Sequence, residues 1–309
     1  MPIGAHLRWI GVNSDRQEIC DYEGSDYQER FWDSGARRYE DLAEEIALRK
    51  VLPANGHKLL EIGAGAGRNT MRYRGFEKIV LLDYARSQLE QAQLRLGKSE
   101  RYLYVVADAY HLPFAHASFD AATMIRTLHH MVDPLAALQE ARAILGRGGI
   151  FVLEYANKKN LKAIARWLLG KQQWNPFAVE SVEFAPLNFN FHPRAIRKWL
   201  RGIDFEVRRQ LTVSHFRLNL LKRWVPLSTL VALDSLIQWS GAMVQLTPSV
   251  FVEAQAKRGP TYQDETFWRC PACASEKFEV MEEGLHCLHC GRTWSLREGI
   301  YDFKQPISA

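Results

Sequence analysis

Three glycines at alternate positions constrain this chain more than any other feature. They follow the residues Leu59, Leu60, Glu61 and Ile62, and they are Gly63, Gly65 and Gly67. Sixteen residues after the last of them, Asp83 closes a second apolar run. Glycine permits positive φ and close approach of a ligand because it has no Cβ. The pattern predicts a nucleoside-binding strand, a loop and a helix with free N–H groups, and it places Asp83 where it can accept hydrogen bonds from both ribose hydroxyls.

Short apolar segments alternate with helical stretches between residues 59 and 155. This alternation predicts a parallel sheet covered by helices on both faces. The segments are strand 105–109, strand 118–125, helix 133–145 and strand 150–155. Asp108 falls at the end of the first of these, and His129 and His130 follow the second.

Glu61 distinguishes this loop from the usual dinucleotide fingerprint. It stands two residues before Gly63, where dinucleotide enzymes more often have an apolar residue, and their third glycine comes three residues after the second. The whole series, roughly Val51–Ala156, resembles the class I S-adenosylmethionine (SAM)-dependent methyltransferases, particularly the group that includes the quinone-biosynthesis enzymes. The resemblance implies an α/β, Rossmann-like, doubly wound sheet of seven strands with an antiparallel last strand.

The resemblance also implies roles for single residues. Asp108 matches the position that binds the adenine amino group, and Ala109 leaves room for the ring. Glu61 is expected to orient the loop or to meet the amino group of SAM. A role as surface charge or helix cap explains Glu61, Asp83 and Asp108 less well than a role in cofactor binding, since all three end strands. The expected cofactor-binding residues are Glu61, Gly63, Gly65, Gly67, Asp83, Asp108, Ala109 and Arg126.

Two arginines leave alternatives open. Arg126 ends the fourth strand, where a charged side chain is costly unless it is paired. It either contacts SAM or the substrate, or forms a salt bridge to an N-terminal acid. Arg68 opens the helix expected after the glycine loop, and we favour a neighbouring acid over the SAM carboxylate as its partner.

Catalysis of methyl transfer depends first on alignment. The transfer is an in-line displacement from an activated donor. Correct alignment of donor and acceptor can lower the activation barrier by about 7 to 11 kcal/mol. A general base is needed only where the acceptor retains its proton. His129 and His130 are the candidates by location and titration range, although such a pair is common in the family without a catalytic role. By position alone, we expect Tyr155, Asn157 and His192 on the substrate side.

The remaining chain divides into further units. Helix-period apolar positions between residues 27 and 50 predict a helix over the cofactor site. Later, the pattern predicts a strand at 205–216, a helical region at 218–245 and a strand at 249–256. The predicted units are an N-terminal helical segment (1–50), a methyltransferase domain (51–258) with cap insertions over the substrate (157–191 and 217–247), a linker (259–266) and a zinc ribbon (267–309).

Four of the five cysteines form two closely spaced pairs. They are Cys270, Cys273, Cys287 and Cys290, with thirteen residues between the pairs. This is metal-ligand spacing, and four thiolates would give a closed structural Zn²⁺ site. The tail resembles the zinc-ribbon modules of small proteins that bind and activate methyltransferases of tRNA and translation factors. RNA contact, docking onto a protein and a purely structural role all stay open for this separate small module.

The net charge of +5 is unevenly distributed. Residues 1–156 carry −2, residues 157–260 carry +10 and residues 261–309 carry −3. The basic segment indicates either an anionic partner, such as a phosphorylated metabolite, a lipid headgroup or RNA, or a solvated face without a partner. We expect a cytoplasmic protein without a transmembrane segment, because neither a secretory signal nor a long uncharged apolar run is found.

These patterns favour a SAM-dependent methyltransferase with a small or lipid-like acceptor, for which an anionic end is one option. The basic segment contains five of the nine tryptophans, and these would suit an acceptor molecule with an apolar body. Methylation of RNA or of a translation protein is the alternative, and a non-catalytic SAM-binding or scaffold protein is an alternative of another class. NAD-dependent oxidoreduction ranks below these. The motifs of enzymes that methylate nucleic-acid bases are missing after residue 125.

Overall fold

The computed structural model describes residues 19–26, 29–35, 37–97 and 99–307, with backbone alone at positions 29, 31, 219 and 220. Residues 1–18 and 27–28 of the predicted N-terminal segment lie outside the described residues. The predicted continuous helix over 27–50 is interrupted. A π-helical turn spans Glu29–Asp33 and α1 spans Arg38–Val51. Gly35, with φ of +75°, lies in the break between them.

The other helices and the strands alternate along the chain. The helices are α2 (Arg86–Leu96), α3 (Pro134–Ala143), α4 (Leu161–Leu168), α5 (Pro193–Gly202), α6 (Asn219–Trp224) and α7 (Leu227–Ile237). The strands are β1 (Gly56–Ile62), β2 (Phe76–Asp83), β3 (Tyr102–Val106), β4 (Phe119–Met124), β5 (Leu145–Ala156), β6 (Val182–Ala185), β7 (Asn188–Asn190), β8 (Phe205–Val213), β9 (Ser249–Ala256), β10 (Phe278–Met281), β11 (Gly284–Cys287), β12 (Thr293–Arg297) and β13 (Ile300–Asp302).

Seven strands form the predicted Rossmann-like sheet, in the order β3-β2-β1-β4-β5-β9-β8. Strands β1 to β5 are parallel, whereas β9 runs antiparallel to both β5 and β8. This arrangement confirms the fold class and the antiparallel last strand. The strand order reverses between β1 and β4, so the loops that follow β1 to β4 meet at one edge of the sheet, at the switch point where α/β proteins bind ligands.

Helices cover both faces of this sheet. Neighbouring strand residues point to opposite faces, so Leu59 and Leu60 enter different core clusters. Leu48 of α1 packs on the first face, and Ile196 of α5 packs on the second. Burial on both sides explains why the central residues of β2, Ile79 to Leu82, are all apolar.

The tail does not form the separate unit expected from the sequence. Strands β10 to β13 extend the same sheet, and β13 pairs parallel with β3. The Phe303 N–H donates to the carbonyl of Val106 at 2.8 Å. The Trp268 ring packs on Phe114 and Tyr301, with ring centroids 5.8 and 4.8 Å away. The tail thereby covers the backbone groups that β3 would otherwise expose at a sheet edge.

The helical insertion at 217–247 packs on α1. Asp234 of α7 accepts hydrogen bonds from the Tyr39 hydroxyl and from the His215 N–H. The amide of Gln238 donates to the carbonyl of Ala43 at 3.0 Å. These bonds fix the insertion on α1, and its role as a cap over the substrate stays a prediction. Within the described part of the chain, no helix has both the length and the apolar character to cross a bilayer.

Candidate active site

The glycine loop after β1 adopts left-handed backbone at each glycine. The φ angles of Gly63, Gly65 and Gly67 are +70°, +53° and +70°. A Cβ on Gly63 would lie 2.1 Å from the hydroxyl of Thr127, so this glycine is required by packing. A Cβ on Gly65 would meet nothing closer than 3.9 Å. Gly65 is therefore the position where a ligand can approach the backbone.

The helix predicted after this loop is absent. Residues Thr70–Arg72 form one 3₁₀ turn, and β2 begins at Phe76. Gly75 packs so closely that a Cβ would lie 1.6 Å from the carbonyl oxygen of Ala54. The short connection leaves no room for a helix, so the expected helical N–H groups do not contribute to the site.

Asp83, at the carboxyl end of β2, fixes the glycine loop. One carboxylate oxygen accepts from the Gly65 N–H at 2.8 Å, and the other accepts from the Ala85 N–H at 3.0 Å. Burial raises the pKa of Asp83, and the backbone N–H groups partly oppose this. Each carboxylate oxygen has a further lone pair. The predicted ribose contact remains a prediction and is compatible with these bonds.

Glu61 is buried beneath the loop. It accepts hydrogen bonds from the hydroxyls of Thr70 at 2.6 Å and Tyr73 at 3.1 Å. Burial raises the pKa of Glu61 to about 7, although the two hydroxyls oppose the shift. Glu61 therefore holds the 3₁₀ turn in place, which agrees with the first of its two expected roles.

The loop after β3 supplies another wall of the site. Asp108 accepts from the Tyr110 N–H at 2.9 Å, and its other oxygen lies 3.4 Å from His111 Nδ1. Ala109 follows without a bulky side chain, and both residues line the pocket. The tail steadies this loop, because the Ala115 N–H donates to the Phe267 carbonyl at 2.9 Å.

A buried charge cluster joins α1 to the site. Glu44, which has no exposed side-chain surface, accepts from Arg68 and from Arg126 Nε, both at 2.9 Å. The Trp32 ring centroid lies 3.7 Å from the Arg68 guanidinium carbon and 4.9 Å from that of Arg126. Burial alone would raise the pKa of Glu44, but Arg126 and Arg68 lower it to about 2.

This cluster shows which acids Arg68 and Arg126 pair with, a question that the sequence left open. Arg68 also pairs with Asp41, so its partners are neighbouring acids, as we favoured. Arg126 forms the salt bridge to an N-terminal acid, and its backbone is left-handed, with φ of +57°. Its N–H donates to Glu154 at 3.0 Å. Arg126 lines the pocket, and a contact with the cofactor remains a prediction.

The two histidines have different surroundings. His130 lines the pocket, and its Nδ1 donates to the Leu187 carbonyl at 3.0 Å. Its Nε2 therefore accepts from the Tyr22 hydroxyl at 3.1 Å. Burial lowers the pKa of both histidines, and for His129 the charges of His130 and Arg126 add to the effect. His129 does not line the pocket. A catalytic role for either residue stays a prediction.

These elements form the walls of a cavity that opens to solvent. It is lined by Ile19, Cys20, Tyr22, Trp32, Glu61, Gly63, Ala64, Gly65, Ala66, Arg68, Asn69, Leu82, Asp83, Tyr84, Gln88, Ala107, Asp108, Ala109, Tyr110, Ile125, Arg126, Thr127, His130 and Met131. Among the expected cofactor residues, Gly67 alone is outside this lining. It faces Ala92 and Leu96 of α2, where a Cβ would lie 3.2 Å from each.

Three residues expected on the substrate side lie elsewhere. Tyr155 is fully buried in the core. The amide of Asn157 donates to the carbonyls of Gln245 and Thr247, and His192 caps α5 by accepting the Arg194 N–H. Tyr155 lies in β5, Asn157 follows β5 and His192 precedes α5. None of the three side chains lines the cavity.

Several residues in or beside the pocket escaped the sequence analysis. Tyr22 lies in an irregular segment and Trp32 in the π-helical turn before α1, and no local pattern marks them. Glu44 sits among apolar positions of α1 with Ala43 and Ala47, and an acid on the buried side of a helix is a usable signal of a buried cation partner.

The four tail cysteines converge as their spacing predicts. Their sulfur atoms all lie within 4.8 Å of one another, with Cys270 to Cys290 at 3.7 Å and Cys273 to Cys287 at 3.6 Å. Four convergent sulfur ligands match the donor set of a tetrahedral structural zinc site.

Comparison with known proteins identifies the class. The methyltransferase domain family matches residues 60–153. The demethylmenaquinone methyltransferase of Thermotoga maritima is 34% identical over 172 residues, covering 51% of this chain and 73% of that protein. The chain therefore belongs to the class I SAM-dependent methyltransferase family.

Other relatives match shorter segments. The O-methyltransferase cnsE of Penicillium expansum is 32% identical over 117 residues, which cover 36% of this chain and 42% of the relative. The 27-O-demethylrifamycin SV methyltransferase of Amycolatopsis mediterranei is 29% identical over 138 residues, which cover 42% and 51%. The chain thus spans about half or less of the length of these two relatives.

Solved structures share the fold. A chain from the complex between the Haloferax volcanii Trm112 methyltransferase activator and a methyltransferase superposes with a TM-score of 0.54. The identity is 14%, over 75% of this chain and 96% of that one. The [4+2]-cyclase SpnF gives 0.50 at 19% identity, covering 74% and 84%. A fold shared with a cyclase does not by itself establish methyl transfer.

Replacing Glu44 by Gln should destabilise the protein by about 3 kcal/mol, because Arg68 and Arg126 would lose their shared buried carboxylate. Urea unfolding measures this change. Glu45→Gln on the same helix is the matched control, since Glu45 pairs with the largely exposed Arg49 and has only a long contact of 3.8 Å with Arg72. It should cost less than about 1 kcal/mol. Equal effects of the two substitutions would contradict the importance of the cluster.

Stability should fall as pH rises from about 4.5 to about 7, by up to about 3 kcal/mol, because of Glu61. In this window the folded carboxyl retains a proton that the unfolded chain has released, so higher pH favours unfolding. Unfolding free energies of wild type and Glu61→Gln, measured across the window, isolate the effect. A difference between them that does not change with pH would refute it.

Proposed function

We propose that this protein transfers a methyl group from SAM to a small or lipid-like acceptor. The observation that supports the proposal best is the cavity at the switch point, which is lined by open backbone at Gly65 and by Asp83 and Asp108. Nucleoside recognition by a class I methyltransferase requires this combination of close backbone approach and acceptors for hydroxyl and amino groups.

The residues present fit SAM. Gly65 leaves space against the backbone, Asp83 has acceptor capacity for the ribose hydroxyls, and Asp108 beside Ala109 provides an acceptor for the adenine amino group. When bound, SAM supplies an electrophilic methyl group on a sulfonium. The protein orients the acceptor and excludes water, and the rings of Tyr22 and Trp32 form part of the wall that does so.

The acceptor class is proposed on two grounds. The named relatives act on demethylmenaquinone and on 27-O-demethylrifamycin SV, both small molecules. The cavity walls include the apolar side chains of Ile19, Ile125 and Met131, which suit an acceptor with an apolar body. His130 is the residue best placed to accept a proton from such an acceptor, once the Tyr22 hydroxyl leaves its Nε2.

Asp83→Asn should weaken SAM binding by about 10-fold to 100-fold, because a charge-assisted acceptor is worth about 1.5 to 3 kcal/mol. Isothermal titration calorimetry with SAM measures this. Glu77→Gln, at the opposite end of the same strand, is the control and should bind like wild type. If Asp83→Asn bound SAM as tightly as wild type does, Asp83 would not be the residue that binds the ribose of SAM.

Transfer itself is tested with methyl-labelled SAM, the purified protein and extract fractionated into lipids, small metabolites, RNA and protein. The proposal predicts label in the lipid or small-metabolite fraction, and less label with Asp83→Asn. Label in RNA or protein would contradict the proposed acceptor class and would support the alternative, methylation of RNA or of a translation protein. SAM binding without label in any fraction would identify a non-catalytic SAM-binding protein.

We propose in addition that the four cysteines hold one structural Zn²⁺. Coordination would supply folding free energy to a tail with little core of its own. Metal analysis should find one zinc per chain, lost in a Cys287→Ser/Cys290→Ser variant and retained in Cys20→Ser. Chelation should also raise amide hydrogen exchange in β12 and β13. Unchanged exchange after complete zinc removal would contradict the structural role.

A further inference from the structure

Large apolar side chains are exposed around α4. The set, named here the α4 patch, consists of Leu161, Leu168, Leu169, Phe177, Met243 and Leu246. Leu168 is 71% exposed and Met243 is 83% exposed. Contiguous exposed apolar surface on a folded protein usually marks a site of interaction.

Direct contacts connect the segments of the patch. The Leu161 N–H at the start of α4 donates to the Leu246 carbonyl at 2.8 Å. The Trp167 ring meets the Phe177 ring edge to face, with centroids 5.8 Å apart. The loop that contains Met243 therefore lies against the first turn of α4, and residue 177 lies beside its last turn.

Part of the apolar face of α4 is exposed. Leu161, Ala165 and Leu168 follow the spacing of one helical face, and all three are exposed, whereas Ile164 and Trp167 at its border are half-buried. Ala163 is the one buried residue of α4, a helix that is described throughout. A row of apolar side chains on this amphipathic helix thus points outward.

Basic side chains surround this apolar face. Lys162, Arg166 and Lys171 are exposed, and the structure records no ion pair for them among the described residues. The sequence contains no acidic residue between Glu154 and Glu180. Leucines flanked by lysine and arginine without acids complement a surface that is apolar below and anionic above, as in a bilayer with anionic headgroups.

The patch and the cavity share one edge of the sheet. The carboxyl ends of β1 to β5 lie at this edge, and α4 follows β5. The loop before β9 lies there too, because Ser249 pairs with Ala156. The contact of the Leu187 carbonyl with His130 links the β6–β7 hairpin to the cavity wall.

We propose that the α4 patch docks this protein onto an anionic lipid bilayer. The apolar side chains enter the boundary between headgroups and acyl chains, while Lys162, Arg166 and Lys171 meet the lipid phosphates. Docking holds the edge of the sheet that carries the cavity towards the bilayer. The proposal does not depend on the methyltransferase activity.

Vesicle flotation of the full chain tests this inference. Phosphatidylcholine vesicles with and without phosphatidylglycerol are compared at low and high salt. Wild type should bind the anionic vesicles, and binding should fall at high salt because the electrostatic attraction is screened. Leu161→Glu/Leu168→Glu should weaken vesicle binding by about tenfold or more, as should replacement of the three basic residues by serine.

Leu94→Glu on α2 is the control for a single glutamate at an exposed leucine elsewhere, to be compared with Leu168→Glu alone, and it should bind like wild type. Urea unfolding checks that each variant is folded. Equal binding to neutral and anionic vesicles would overturn the proposal, as would unchanged binding of Leu161→Glu/Leu168→Glu. Capture of an acidic protein by the patch without vesicle binding would assign it to a protein partner instead.

Discussion

The hydrogen bond from the Gly65 N–H to Asp83 organises the candidate site. It connects the loop after β1 to the end of β2 across the parallel pair, at the place where the strand order reverses. With this bond, three glycines with positive φ hold one conformation that leaves the backbone at Gly65 open. Glu61 supports the same loop from below through Thr70 and Tyr73. Loop geometry thus depends on two carboxylates, the buried Glu61 and the half-buried Asp83, rather than on a helix.

Elements outside the seven-stranded sheet complete the site. The charge cluster around Glu44 ties α1 to Arg68 after the loop and to Arg126 after β4. On the other side, the tail pairs with β3 and bonds to Ala115, so it braces both ends of the loop that carries Asp108. The amino-terminal and carboxyl-terminal segments therefore act as supports for opposite walls of the cavity.

The sequence predicted the sheet and placed seven of the eight expected cofactor residues in the cavity lining, because those features are local. Strand patterns, alternate glycines and acids at strand ends depend on neighbours in the chain, and β9 appears at its predicted bounds. The convergence of the four cysteines also follows from spacing. The predictions that failed depend on tertiary contacts. The connection after Gly67 was too short for a helix, and the tail joined β3.

The partners of charged residues could likewise not be predicted from local sequence patterns. Glu44 precedes Arg126 by more than eighty residues, and their pairing became visible with the packing of α1 against the sheet. The outward face of α4 was equally unpredictable, because amphipathic spacing defines an apolar face without saying whether the protein buries it.

A crystal structure with S-adenosylhomocysteine, the demethylated form of SAM, tests the central claim most directly. The account predicts the ligand between Gly65 and Asp108, with its ribose hydroxyls within hydrogen-bond distance of Asp83 and its adenine beside Ala109. A ligand bound elsewhere, or one in this cavity with no contact to Asp83, would contradict the account.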